Sequence, residues 1–276
     1  MSAETIDLEA YFRRIGYNGP CDPSLDTLRG IHLRHALSIP FENLDPLLGR
    51  TPRLDLPSLH RKLVLGGRGG YCFEQNLLLS HVLQTLGFRV VNLAARVVWN
   101  APPGSVRPRT HMLLRVDLQD GPYVADVGFG GLTLTAPLRL LPGIEQATPH
   151  EAFRLIEIED GFIIEARIRE TWKALYWFDL QPQVLADYEM ANWFVANHPA
   201  SHFVSRLSAA RPAIDRRWAL ANNQLSIHPL RAPSEERVLT GAEELRTVLQ
   251  ESFGLTLPNT PELAGLLVRL TAPQKT

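Results

Sequence analysis

The stretch Gly66-Gly-Arg-Gly-Gly-Tyr-Cys72-Phe-Glu-Gln-Asn-Leu-Leu-Leu-Ser-His-Val-Leu-Gln-Thr-Leu-Gly-Phe88-Arg-Val-Val-Asn-Leu-Ala-Ala-Arg-Val-Val-Trp99 changes its repeat halfway along. Leu79, Val82, Leu83 and Leu86 share one helical face, and Gly87 supplies the C-terminal cap, so a helix is predicted from about Cys72 to Leu86. From Phe88 the period drops to two and β-branched residues take over, which predicts a strand to Trp99. Four glycines upstream let the backbone turn sharply and deliver Cys72 to the helix start. There the helix dipole favours thiolate over thiol, and Arg68 adds positive potential. The opposite reading, glycines that merely cap and a cysteine that packs as a small apolar residue, is equally compatible with residue type and position. A phosphate-cradling loop fits poorly, because no Gly-Lys-Ser/Thr follows and no convincing strand precedes.

Outward from this stretch the chain divides by period. Leu8, Tyr11, Phe12 and Ile15 describe a first helix closed by Gly16. Leu25 to Leu37 reads as a second, started by Asp22 or Ser24 and ended by Pro40, and Leu56 to Leu65 as a shorter third. Beyond residue 88, strands are predicted over His111–Leu118, Tyr123–Val127, Ala152–Glu159 and Phe162–Arg169, with Asp120-Gly121 and Asp160-Gly161 as hairpin turns. The middle of the chain therefore reads as an antiparallel sheet or small barrel. Residues 101–108, rich in proline, read as an exposed loop between strands. After about residue 200 the pattern mixes, with a last helix from Glu262 to Leu270 opened by Pro261.

Composition excludes several classes. With 45% hydrophobic and 21% charged residues the chain has the make-up of a globular protein and not of a disordered one. A net charge of −1 leaves no overall basic field for nucleic acid or an anionic membrane. The acidic N-terminus lacks the features of a secretory signal, no run of 18 apolar residues occurs, and two cysteines cannot make a disulfide framework, so the expected location is cytoplasmic.

A nucleophilic thiol needs a base, and the base an orienting group. Of nine histidines, only His111 opens a clear strand whose hairpin partner carries an acid, Asp126, in the otherwise apolar Tyr123-Val-Ala-Asp-Val-Gly128. An ionisable residue in such a run must be paired. With Asp120-Gly121 as a two-residue turn, His111 opposes position 130. Asp126 then shares its face but lies four positions away, about 13 Å along the strand and out of hydrogen-bond reach. A bulge, a longer turn or another pairing would be needed to join them. His32 with His35, and His198 with His202, have helix-compatible metal spacing but lack a third ligand. Cys21, before Asp-Pro, has no basic neighbour and reads as inert. No Gly-x-Ser-x-Gly elbow points to a serine hydrolase.

Four motifs resemble the arylamine N-acetyltransferases, the bacterial members above all: Ile39-Pro-Phe-Glu-Asn-Leu-Asp45, Arg68-Gly-Gly-Tyr-Cys-Phe-Glu-Gln-Asn76, Thr110-His-Met112 and Val124-Ala-Asp-Val-Gly-Phe-Gly-Gly131. They cover about the first 135 residues in matching order and spacing. The resemblance implies an α+β fold with a papain-like cysteine core: a helical bundle (1–86), an antiparallel β-barrel (87–200) and a C-terminal α/β lid (201–276). It implies Cys72 as nucleophile, His111 as base and Asp126 as its orienting acid, in contact. Arg68 and Asn76 would support them, and Phe41, Gly128, Phe129, Gly130 and Phe203 would bind substrate. The implied reaction is ping-pong acetyl transfer from acetyl-coenzyme A to aromatic amines, hydrazines or hydroxylamines, with no metal. A papain-like or transglutaminase-like hydrolase would use the same residues and finish with water, and a non-catalytic binding protein is disfavoured by the intact set.

Overall fold

The structure is a computed structural model that describes residues 5–102 and 104–272. The first four residues of the acidic N-terminus, Pro103 of the exposed loop and the last four residues lie outside the described residues.

The helices begin and end where their capping residues allow. α1 (Leu8–Ile15) starts on Asp7, whose carboxylate accepts from Ala10 N at 3.0 Å, and stops at Gly16 with φ +64°. α2 (Leu25–Ser38) starts on Ser24 and ends before Pro40. A two-residue strand, β1 (Phe41–Glu42), and a single turn, α3 (Leu44–Leu47), follow, neither of which the sequence pattern indicates. The predicted third helix is real but changes pitch. Its first turn, α4 (Leu56–Leu59), widens into a π-helical turn over His60–Leu65 before the glycines end it. α5 (Cys72–Thr85) has Cys72 as its first residue.

The middle of the chain forms one antiparallel sheet of β2 (Arg89–Val97), β3 (His111–Leu118), β4 (Gly121–Ala125), β5 (Leu138–Arg139), β6 (Glu145–Ala147), β7 (Ala152–Ile158), β8 (Gly161–Ile168) and β9 (Thr171–Phe178). Its order is β5-β4-β3-β2-β9-β8-β7-β6, so the two edge strands are neighbours in sequence. The Gln146 carboxamide bridges them: Arg139 N donates to its Oε1 at 2.7 Å and its Nε2 donates to Arg139 O at 2.9 Å. That side chain takes the place of a missing strand pair and closes the sheet into a near-barrel.

Both Asp-Gly hairpins exist, but one residue earlier than expected. Leu118 pairs with Gly121 and Ile158 with Gly161, so the loops are Gln119-Asp120 and Glu159-Asp160. Each glycine is the first residue of the returning strand, with φ +125° and +154°. The shift moves the position facing His111 from 130 to 128, by continuation of the register, and leaves Asp126 two residues from direct opposition.

After the sheet comes a helix the periodicity did not show, α6 (Leu185–Asn197). The mixed C-terminal region then resolves into β10 (Ser208–Ala213), β11 (Arg216–Ala221), β12 (Gln224–Pro229) and β13 (Glu235–Val238), followed by α7 (Ala242–Glu251) and α8 (Pro261–Thr271). Pro261 occupies the first position of α8 behind the cap Thr260. β1 joins this second sheet at its edge, in the order β1-β10-β11-β12-β13. Alternation along β3 separates two cores. Met112 and Leu114 face the helices, whereas Leu113 points into the barrel with Phe153, Ile164 and Phe178. A third core lies between the C-terminal sheet and α7 and α8, built on Leu220, Leu249, Phe253 and Leu266.

One buried side chain joins the first and last parts of the chain. Asn43 donates from Nδ2 to Phe203 O and Arg206 O, each at 2.8 Å, and its Oδ1 accepts from Ser208 N at 2.7 Å. Asn43→Ala strips the partners from three main-chain groups and should destabilise the protein by about 2–3 kcal/mol. Urea unfolding checks this: the midpoint should fall at unchanged slope, and an unmoved midpoint would show that the link carries no stability.

Candidate active site

Cys72 lies where three segments meet. It opens α5 at 6% exposure, and its thiol donates to Thr110 O at 3.5 Å, beside the residue that begins β3. The loop after β4 runs directly over it. A Cβ on Gly128 would stand 2.6 Å from Cys72 Cα and 2.8 Å from Asn76 Nδ2, so only glycine allows this approach.

His111 and Asp126 do meet. His111 Nε2 and Asp126 Oδ2 are 2.7 Å apart, both groups being buried. The 13 Å separation expected from the hairpin disappears for two reasons: the turn is one residue earlier, and β4 ends at Ala125, so Asp126 leaves the ladder and leans toward the start of β3. Its carboxylate collects further donors, Asn76 Nδ2 at 2.9 Å, Gly128 N at 2.8 Å and Tyr176 Oη at 2.9 Å. Tyr176, on β9, belongs to no motif quoted above, and sequence offered no signal for it. Burial disfavours the ionised carboxylate, yet His111 and these hydrogen bonds outweigh it and hold Asp126 below the usual range. Burial likewise opposes the imidazolium, but Asp126, aided by Cys72, lifts His111 to about 10. With Nε2 committed to Asp126, Nδ1 is the ring nitrogen left for the thiol.

Arg68 sits in a partly buried ion cluster. Its guanidinium reaches Glu42 Oε1 at 2.7 Å and Asp45 Oδ1 at 3.3 Å, so its charge is taken up by carboxylates and not left to act on the thiol. Lys62, from the π-turn, bridges Asp45 at 2.6 Å and Glu74 at 2.7 Å. The other oxygen of Glu74 accepts from Tyr71 N at 3.2 Å and caps the helix that carries Cys72. Burial pushes Glu74 up to about 7 against the pull of Lys62. The Gln75 carboxamide ties the glycine loop to the Ile39–Pro40 turn, donating to Ile39 O, Pro40 O and Gly70 O. His35 supports Gln75 at 2.7 Å and is itself met by Tyr11 Oη at 2.8 Å.

The positions implied as substrate-binding touch one another or the cysteine and histidine. Phe41 packs on Phe203 with ring centres 5.9 Å apart, and Gly130, φ +88°, faces Phe41. Phe129 stands edge-on to His111 at 5.3 Å, and Tyr176 lies 4.8 Å from the same ring. The paired histidines do not gather into metal sites. His32 bonds Asp126 N, His35 bonds Tyr11 and Gln75, and His198 stacks on Phe194. Among the described residues no cluster of three or more such side chains is suited to a metal, and no helix is long and apolar enough to cross a membrane. Cys21 is exposed and lies apart in a turn.

A cysteine at a helix start, set against a strand-borne histidine and an acid just past the neighbouring strand, defines a papain-like cysteine core. Residues 24–261 match the protein family described as N-acetyltransferase. The chain is 46% identical over 271 residues to the arylamine N-acetyltransferase of Mycobacterium tuberculosis, covering 96% of this chain and 95% of that one. It is 42% identical over 252 residues to the arylamine N-acetyltransferase / N-hydroxyarylamine O-acetyltransferase of Salmonella typhimurium, covering 91% and 89%. The solved Mycobacterium marinum arylamine N-acetyltransferase in complex with CoA superposes with a TM-score of 0.92 at 42% identity, covering 96% and 99%. The chain belongs to the arylamine N-acetyltransferase family.

Two predictions follow from this geometry. Gly128→Ala should fold but lower the rate of Cys72 acetylation roughly 100-fold, because the added methyl displaces the Cys72 backbone. Single-turnover kinetics beside a circular dichroism spectrum tests this, and a wild-type rate would mean that the loop yields freely. The second concerns pH. Burial holds His32 at about 3 and His35 at about 4, so below 6.5 the unfolded chain binds protons that the folded one refuses, and stability falls as pH falls. Glu74 acts in the opposite sense, since the folded state takes its proton first, from about 7 downward. His111, lifted to about 10, also acts in that opposite sense, so the share to test is that of His32 alone: about 2 kcal/mol of stability lost between pH 7 and 5, which His32→Gln should remove from the slope. Urea midpoints across that range decide, a slope unchanged in the variant being the contrary result.

Proposed function

We propose that Cys72, His111 and Asp126 carry an acetyl group from acetyl-coenzyme A to aromatic amines, hydrazines or hydroxylamines in two half-reactions. The observation that supports this most directly is the bonded His111–Asp126 pair, with the Cys72 side chain near enough to act on the same imidazole and the Gly128 backbone against Cys72. His111 takes the thiol proton, and the thiolate attacks the thioester carbonyl. The carbon–sulfur bond of the donor breaks, coenzyme A leaves with the proton from His111, and the acetyl group stays on Cys72. In the second half the amine attacks the acetyl carbon, His111 accepts the amine proton, and the Cys72 thiolate is released and reprotonated. Asp126 keeps the imidazole oriented and stabilises its charged form. The first-turn amides of α5 have no partners within the helix and suit the developing oxyanion.

Arg68 and Asn76 act as supports, the first through its carboxylates and the second by bonding both Asp126 and Val127 N. Phe41, Gly128, Phe129, Gly130 and Phe203 form the acceptor cleft. Labour divides among a helical segment (1–86) that holds the nucleophile, a barrel segment (87–200) that holds base and acid, and a lid (201–276). No step calls for a metal, a nucleic acid or a membrane, and the proposed compartment is the cytoplasm.

Mass spectrometry of protein mixed with acetyl-coenzyme A and no amine tests the proposal. One acetyl group should accumulate on the peptide containing Cys72, be absent from Cys72→Ala, and discharge when an arylamine is added. Steady-state double-reciprocal lines should be parallel. Continuous acetate release without acceptor would indicate a hydrolase. Intersecting lines with no trapped acetyl-cysteine would remove Cys72 from the covalent role.

A further inference from the structure

Of the fully buried titratable side chains that the reaction scheme leaves unused, His32 touches the main chain of the acid. His32, on α2, has no exposure. Its Nε2 lies 3.2 Å from Asp126 N. An amide can only donate, so Nε2 must be bare and the ring proton must sit on Nδ1. Nδ1 is buried with no partner. A core histidine with an unpaired donor is a poor choice for packing alone, since an apolar residue of similar size would leave no donor stranded.

The contact answers a particular need. The β3–β4 ladder stops at Leu114 opposite Ala125, which leaves the next amide, that of Asp126, without a strand partner. His32 accepts from that amide, and Thr133 Oγ1 donates to the Asp126 carbonyl at 3.2 Å. Both main-chain groups of the acid are thus held by side chains, one of them from the helical segment. Where the main chain of Asp126 goes, its carboxylate goes too, and the 2.7 Å contact with His111 follows. The ring feels chiefly burial, then the charges of Asp126 and His35, and burial keeps it neutral so that it remains an acceptor.

We propose that His32 is a positioning residue for the reaction, fixing the backbone of Asp126 so that the carboxylate stays in register with His111. This rests on the triad reading above, and the two fail separately: a Cys72→Ala protein that still carried acetyl would end the triad, whatever His32 does. The test compares His32→Leu, which removes the acceptor, with His32→Gln, whose Oε1 reaches about as far as Nε2. Single-turnover acetylation of Cys72 is followed against pH, with thermal midpoints alongside. His32→Leu should slow acetylation about tenfold and shift the midpoint of its pH profile, as a small misplacement of a catalytic group does. His32→Gln should recover most of the rate and the wild-type midpoint.

A His32→Leu protein with the wild-type rate and pH midpoint would overturn the proposal, as would equal losses in both variants with the pH midpoint unmoved. Should His32→Leu not fold, nitrogen-15 spectra of the wild-type imidazoles give an independent answer. The proposal expects a bare Nε2 and a protonated Nδ1 on His32, and a proton on Nε2 would end it.

Discussion

Asp126 is a carboxylate with no exposure to water, and the fold is arranged around keeping it charged. An isolated buried carboxylate costs several kcal/mol, and one that merely took up a proton could not hold an imidazolium. Its donors come from separate parts of the chain: Asn76 from α5, His111 from β3, Tyr176 from β9 and Gly128 from the following loop. Each donor fixes the element that bears it relative to the others. The charge therefore helps set the angle between the helices and the barrel as well as the orientation of His111.

The thiol is held by a second, separate device. Three carboxylates and two cations, Glu42, Asp45, Glu74, Lys62 and Arg68, lie under the glycine loop and tie the Phe41–Asp45 segment to the start of α5. Removing one member would strand a buried charge, which costs far more than the net worth of an intact pair. Each residue of Phe41-Glu-Asn-Leu-Asp45 then has a physical reason. Phe41 packs on Phe203, Glu42 and Asp45 hold Arg68 and Lys62, Asn43 pins residues 203–208, and Leu44 enters the C-terminal core. The two devices meet at Gly128, where backbone touches backbone across the thiol.

Features that depend on local chemistry were legible in the sequence. The start at Ser24, Pro261 at the head of the last helix, the glycine stops and the presence of the two Asp-Gly turns act over a few residues and leave a mark there. Register did not, because an Asp-Gly pair is compatible with the glycine inside the loop or at the head of the returning strand, and this choice decides whether His111 can reach Asp126. α6 escaped because its apolar residues surround it: Tyr188 and Val195 are buried while Met190 and Trp193 are exposed, so no one-sided period forms. Hairpins in the C-terminal sheet turn on Ile214-Asp215 and Asn222-Asn223, without the glycine that marked the others. Tyr176 and Lys62 left no mark as site residues, and His32 stood out only as half of a metal pair, since each makes a contact that only tertiary folding creates.

The same site explains how a cysteine core can favour an amine over water. Cys72 and His111 are 6% and 3% exposed, so bulk solvent has little access to either. The rings of Phe129 and Tyr176 pack on His111, and those of Phe41 and Phe203 on each other, all offering apolar faces with few polar partners for an ordered water. In the proposed reaction an aromatic amine would bring its own ring to stack on such faces and hold its nitrogen near the acetyl carbon. Water gains none of that binding. Under the proposed reaction an acetyl-cysteine formed here would therefore meet its acceptor as a positioned nucleophile and solvent only as a rare visitor, so that aromatic walls would bias the same three polar residues toward transfer over hydrolysis.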